Sequence, residues 1–239
     1  MILSAHQPAY LPWLGYFDKI ARADVFVYLD TVQFEKNSFI NRNLIKTPQG
    51  TLWLTIPVKT KGHTSGSLRS TEIDDSQPWR AKHLRSIMMN YRRARRFDEC
   101  FPKIEALLAV PESNLARYCL HQLRFWLSEL NVDTRVVRSS ELPISSSKSD
   151  LVLDLCRHFG AQRYLSGEQG RGYLVESHFD EAGIAIEYQS FKAPVYFQLW
   201  GDFIPNLGIL DWWMNMDGSP LGATGTNAGE SVQPQSAPQ

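Results

Sequence analysis

Residues 1–30 read MILSAHQPAYLPWLGYFDKIARADVFVYLD. Their order decides the fold class. A short apolar run, Ile2 to Ala5, stops at His6. Two prolines, Pro8 and Pro12, mark a turn, and an aromatic-rich helix start follows, with a helix expected over about 15–22. A second apolar run, Val25 to Leu29, stops at the carboxylate of Asp30. Strand, loop, helix and strand in this order form the first unit of an open α/β sheet. Such sheets take their ligands at the carboxyl ends of their strands. His6 and Asp30 would both stand there, on neighbouring parallel strands about 4.8 Å apart.

The alternation resumes later in the chain. Thr51 to Val58 reads as a third strand, with Pro57 marking its end or an edge. Residues 59–70 are polar, carry two glycines and read as a mobile loop. A helical insertion at about 78–130 shows two stripes. One runs through Leu84, Ile87, Met88 and Tyr91; the other runs through Leu115, Cys119, Leu123, Trp126 and Leu130, with Ser113 or Asn114 as N-cap. A strand at 134–137 comes next. A helix containing Leu151, Leu155, Cys156 and Phe159 is stopped by Gly160. A strand at 163–166, a helix over 172–182 and a last strand at 184–191 complete the pattern. The expected fold is α/β, a mostly parallel open sheet with helices on both faces, in a single domain over 1–216. Residues 217–239 are rich in Gly, Ser, Pro, Gln and Ala and read as a disordered tail.

Composition excludes several classes. The chain has 239 residues, 43% of them hydrophobic, enough for a sizeable core. Lys and Arg number 25, as do Asp and Glu, so the formal charge is zero and a general polyanion binder is disfavoured. Three widely spaced cysteines without a C-x-x-C read as buried free thiols, and no metal site is expected. No run approaches the ~20 apolar residues of a membrane helix, and no leader with a basic start is visible. A cytoplasmic location is the simplest expectation.

The opening also resembles a known family. His6-Gln7-Pro8, Tyr10, Pro12-Trp13, Gly15-Tyr16-Phe17 and Lys19 are similar to the start of the WbqC-like proteins. So are Asp30 with Val32-Gln33-Phe34, Asn41-Arg42-Asn43, the stretch Trp53 to Val58, Trp79 with Lys82-His83, Tyr164 to Gly167, and Ile209-Leu210-Asp211. Gly208 stands where the family pattern suggests a serine. The resemblance implies a bacterial protein linked to O-antigen gene clusters, for which a glycine-transferase role has been suggested.

Several residues carry candidate chemistry. His6 suits acid–base work or an anionic oxygen, although many histidines at strand ends are structural. Gln7, Tyr10 and Trp13 belong to a proline–aromatic cluster that can wall a sugar or a base, with Tyr10 and Trp13 expected to be accessible. Lys19 is placed to reach phosphate. Asp30 can hold an amine or a metal, or simply cap a turn. Lys36, Asn41, Arg42 and Asn43 make a donor-rich loop suited to phosphate or carboxylate. Residues 79–97 hold six arginines, Lys82 and His83 without one acid, which suggests a binding face for a nucleotide pyrophosphate, a lipid-pyrophosphate surface or tRNA, or else a solvated helix face with a basic linker. Ser166, Gly167, Gly170 and Tyr173 follow a strand and open a helix, where backbone amides can approach a phosphate. Ser145 to Ser149 has a loose likeness to the KMSKS loop of adenylate-forming enzymes and is equally an N-cap.

His6, Asp30 and Arg42 are the expected catalytic group; Gln7, Tyr10, Trp13, Lys19, Lys36, Asn41, Asn43, Lys82, His83, Ser166, Gly167, Gly170 and Tyr173 are the expected substrate-binding group. The expected activity is amide formation between an amino acid, glycine among the candidates, or an acyl group and an amino sugar. ATP with Mg²⁺ or an activated acyl donor would supply the driving force. Pantothenate synthetase is the nearest chemical model, although the H-x-G-H signature is absent. The alternative is a non-catalytic binder of a nucleotide-sugar or lipid-linked glycan. RNA binding rests on the basic segment alone.

Overall fold

The computed structural model describes residues 1–59 and 66–221. In chain order the elements are β1 (Ile2–His6), α1 (Leu14–Ala21), β2 (Val25–Tyr28), β3 (Arg42–Thr47), β4 (Gly50–Thr55), α2 (Trp79–Tyr91), α3 (Phe97–Leu108), α4 (Leu115–Glu129), β5 (Arg135–Arg138), α5 (Lys148–Phe159), β6 (Arg163–Ser166), α6 (Glu176–Glu181), β7 (Ala185–Tyr188) and α7 (Ile209–Asn215). Five strands form one parallel sheet in the order β5-β2-β1-β6-β7. Parallel strands need crossovers, which the helices supply, so the α/β expectation holds.

Alternation along the strands divides the core between the two faces. Leu3, Ala5, Val25 and Val27 pack with α5 and α6 through Leu151, Leu155 and Phe179. Phe26 and Tyr28 face the other way, onto Tyr16, Phe17 and Ile20 of α1 and onto the central helices. Both faces are therefore covered, as near-continuous apolar parallel strands require. Gly160 ends α5 at φ 64°, and Asn114 caps α4 by accepting from the Arg117 amide at 3.0 Å. The three cysteines are free and buried, which raises their thiol pKa values.

The differences from expectation are local. The run at 51–58 does not join the main sheet. Its strand is β4, paired antiparallel with β3 as a separate two-stranded hairpin. The Asn41-Arg42-Asn43 segment is the entry to β3 and not a loop. The insertion holds three helices; the middle one, α3, has Pro102 inside it and buries a stripe of Cys100, Ile104, Leu107 and Leu108 that the sequence reading did not single out. On α2 the buried face is Trp79, His83, Ile87 and Tyr91, whereas Met88 is exposed. The helix expected over 172–182 is confined to α6, and a short 3₁₀ turn at 168–172 precedes it. Ser147 precedes α5 without a side-chain cap. Most of the expected tail, 222–239, and residues 60–65 of the polar loop lie outside the described residues.

Candidate active site at the sheet switch point

The chain leaves β1 for β2 and β5 on one side, then returns to lay β6 and β7 on the other. The reversal occurs between β1 and β6, and their carboxyl ends flank the crevice where such sheets bind ligands. His6 and Gln7 leave β1 there; Ser166 and Gly167 leave β6. Lys19 reaches the same place from α1. Its Nζ donates to the Ala5 carbonyl at 3.1 Å and lies 4.0 Å from where a Gly167 Cβ would stand.

Lys19 is only 3% exposed, and among the described residues no carboxylate pairs with it. Burial lowers its pKa to about 7. One of its three ammonium hydrogens has a protein acceptor, and the others are uncommitted among the described residues. A buried unpaired cation costs stability unless something else uses it.

His6 is half-buried between the edges of two rings. Its centroid lies 4.9 Å from Tyr16 and 5.8 Å from Trp13. Nδ1 is 2.9 Å from the Gln7 carbonyl, which can only accept. Nδ1 therefore carries the hydrogen, and the Nε2 lone pair is left available. Burial, and then the Lys19 charge, push the imidazole pKa down to about 3 against the pull of the Gln7 carbonyl. His6 is neutral at pH 7.

An aromatic ledge extends from His6. Trp13 and Phe39 have centroids 5.5 Å apart, and Phe39 and Trp53 5.7 Å apart. The Arg42 guanidinium stacks 4.2 Å over Trp53. Phe39 and Trp53 are 42% and 40% exposed, so part of this row is open to solvent. It was only partly legible from the sequence: Trp13 and Arg42 stood out, but Phe39 and Trp53 meet them only once β3 and β4 pair.

The loop carrying His6 and Trp13 is clamped from several directions. Asn43 Nδ2 donates to the carbonyls of Leu11 at 2.7 Å and Tyr10 at 3.3 Å. The Tyr10 hydroxyl meets His83 Nδ1 at 2.9 Å, and His83 Nε2 lies 3.2 Å from the Thr55 carbonyl. His83 therefore donates from Nε2 and accepts the tyrosine hydrogen. Tyr10 is wholly buried, contrary to the accessible position expected for it, because its hydroxyl serves this internal bond. A Cβ on Gly208 would stand 2.8 Å from the Leu11 oxygen, so a glycine is what this backbone approach admits. Leu11 itself is held at φ 44°, a strained left-handed conformation for a branched side chain. Asn43→Ala is expected to cost about 2–4 kcal/mol, because it orphans two buried carbonyls. Urea unfolding measures this, and a loss under about 0.5 kcal/mol would show that the clamp is unimportant.

The WbqC-like protein family model matches residues 7–220. The chain belongs to the WbqC-like family. It is also 36% identical over 214 residues to the uncharacterized protein Rv1507c of Mycobacterium tuberculosis, covering 88% of this chain and 91% of that protein. No solved structure matches.

The remaining expected site residues of this WbqC-like protein fall into several groups. Ser166 is buried, donates to the Gly167 carbonyl at 3.0 Å and leaves no room for a side chain at Gly170. Asp30 accepts from Ser139 Oγ at 3.0 Å and from the Ser140 amide and hydroxyl at 2.9 and 2.7 Å. It thus ties the end of β2 to that of β5 and borders a second pocket. Asn41 is buried and donates to the Ile56 carbonyl at 2.8 Å. Lys36, Lys82 and Tyr173 are exposed. The acid-free stretch 79–97 is answered from outside: Arg80 pairs with Asp75, Arg96 with Glu99, and Arg95 with Asp217. Among the described residues no His, Cys, Asp and Glu cluster could hold a metal, and no helix is long and apolar enough to cross a membrane.

Sequence reading missed a buried network beneath α7. Asp211 accepts from the hydroxyls of Tyr91 at 2.7 Å and Tyr196 at 2.8 Å. Burial raises its pKa. Lys46, 1% exposed, donates to Gln198 Oε1 at 3.1 Å and to main-chain carbonyls of residues 201 and 202. This network packs the chain after β7 against the hairpin.

Proposed function

We propose that this WbqC-like protein is a transferase that joins an activated acyl or aminoacyl group, glycine among the candidates, to the amine of an amino sugar for surface polysaccharide. The observation that carries this reading is the pair at the switch point: a buried ammonium and a neutral imidazole, which among the described residues have no counter-ion for the one and no partner for Nε2 of the other. Two basic groups with no acid between them suit an anionic ligand or an oxyanion. A bound anion would reverse the penalty that Lys19 places on His6 and raise the basicity of both groups.

In the reaction, the sugar amine attacks the activated carbonyl. The new C–N bond forms, and the bond to the activating group breaks. His6 Nε2 takes the proton released by the amine, and the Lys19 ammonium stabilises the oxyanion of the tetrahedral intermediate. The leaving group departs with the electron pair of the broken bond. The ledge of Trp13, Phe39 and Trp53 offers aromatic surface to the sugar, and Arg42 holds a polar group at its far end.

The test is turnover. Purified protein is incubated with labelled glycine, ATP and Mg²⁺, or with acyl-CoA donors, and with a panel of nucleotide-linked amino sugars. A labelled amide product is expected from one pair. Tight sugar-nucleotide binding without product from any donor would favour a binding protein instead.

A further inference from the structure

A second pocket opens beyond the switch point, at the carboxyl ends of β2 and β5. Its volume is about 220 Å³, and Asp30, Arg69, Asn114, Arg117, Arg138 and Ser140 stand in its wall. We propose that it binds the phosphate group of a phosphorylated small molecule.

Three segments distant in sequence each bring one arginine. Arg69 comes from the 3₁₀ turn Leu68–Ser70, Arg117 from the first turn of α4, and Arg138 from the last position of β5. Their backbones are held in place. Asn114 Nδ2 donates to the Arg69 carbonyl at 2.8 Å, and the Leu115 amide donates to the Thr71 carbonyl at 2.9 Å, which docks the turn on the start of α4. Ser140 is fixed through Asp30. The pocket is therefore built by tertiary contacts and is not a chance meeting of surface side chains.

The charges favour an anion. Asp30 is the one acid in the wall, and its carboxylate is occupied by three donors from Ser139 and Ser140. Arg117 pairs with Glu112 at 3.0 Å, and Arg138 bonds Glu141 at 2.6 and 2.9 Å. Both pairs are partly exposed, Arg117 at 61% and Glu141 at 51%, so solvent reaches each guanidinium and an incoming dianion can compete for the forks. Arg69 is exposed and has no acidic partner among the described residues. The fifteen-residue α4 adds its amino-terminal dipole at the same wall. Arginine forks converging with a helix start match the tetrahedral oxygens of a phosphate monoester or diphosphate.

This site is independent of the reaction proposed for the crevice. It is tested by calorimetric titration of inorganic pyrophosphate, and in a second arm of uridine diphosphate, at low salt. The proteins are the wild type, Arg69→Gln, Arg69→Gln/Arg138→Gln and Lys19→Met. Wild type is expected to bind pyrophosphate. Affinity should fall about tenfold in Arg69→Gln and further in the double variant, and should persist in Lys19→Met. Tighter binding of uridine diphosphate would assign the site to a nucleotide, and equal binding to the phosphate groups alone; both support it. Absence of binding by wild type, or affinity unmoved by both arginine variants with their melting temperatures unchanged, overturns the proposal.

Discussion

Lys19→Met should make the protein more stable at pH 7 and stop its activity. An unfolded lysine keeps its proton up to about 10.5, whereas in the fold Lys19 releases it near 7. Between these values the unfolded chain holds more protons, so the lysine's contribution to stability rises with pH across that window. Below pH 7 the penalty is complete, roughly 4–5 kcal/mol by the size of the shift. Methionine fills a similar volume without a charge. It gives up only the bond to the Ala5 carbonyl, so a net gain of about 2 kcal/mol or more is expected. Urea unfolding at pH 7 and pH 10 measures it. The advantage of the variant should shrink as pH rises, because the folded wild-type lysine is then neutral and no longer holds an unpaired charge in the crevice. A variant less stable at both pH values would mean that Lys19 is a structural tether. Retaining a costly cation in a crevice is the stability–function trade expected of a working site.

The second large effect concerns His6. Its Nε2 has no partner among the described residues, and its tautomer is set by the Gln7 carbonyl. Removing the imidazole should lower kcat on the order of a hundredfold or more, as for other positioned acid–base groups. Folding should change little, since the ring is half-buried and makes one hydrogen bond. Arg42 differs. It stacks on Trp53 at the end of the ledge and bonds Asn37 there. Arg42→Ala should therefore act mainly on KM, whereas His6→Ala should act on kcat. Equal effects of the two on kcat would place Arg42 at the reacting atoms instead.

The elements that were legible in the sequence are those whose signal is local. The β1 and β2 runs, the Gly160 stop and the Asn114 cap depend on neighbouring residues. The hairpin was harder because its polar residues point inward. Asn43 and Lys46 look like loop residues, yet each is buried because it satisfies carbonyls of another segment. Tyr10 and His83 sit 73 residues apart in sequence, and only folding shows that they bond each other. They are clamps on the loop, and they share the family pattern with the residues that the loop presents. The exposed Phe39, and Arg69 with Arg117 and Arg138, gave no signal, because their meaning comes from long-range assembly. His6, Gln7, Ser166 and Gly167 could be placed at strand ends from the local runs alone, whereas Lys19, on α1, stood out only through its place in the helix and the family pattern.

The most direct measurement is the rate of labelled amide formation by wild type and His6→Ala under identical, saturating conditions, with circular dichroism confirming equal folding. Catalysis at the β1–β6 crevice predicts product from wild type and at least about a hundredfold less from the variant. Product formed equally fast by folded His6→Ala would place the chemistry elsewhere in the molecule.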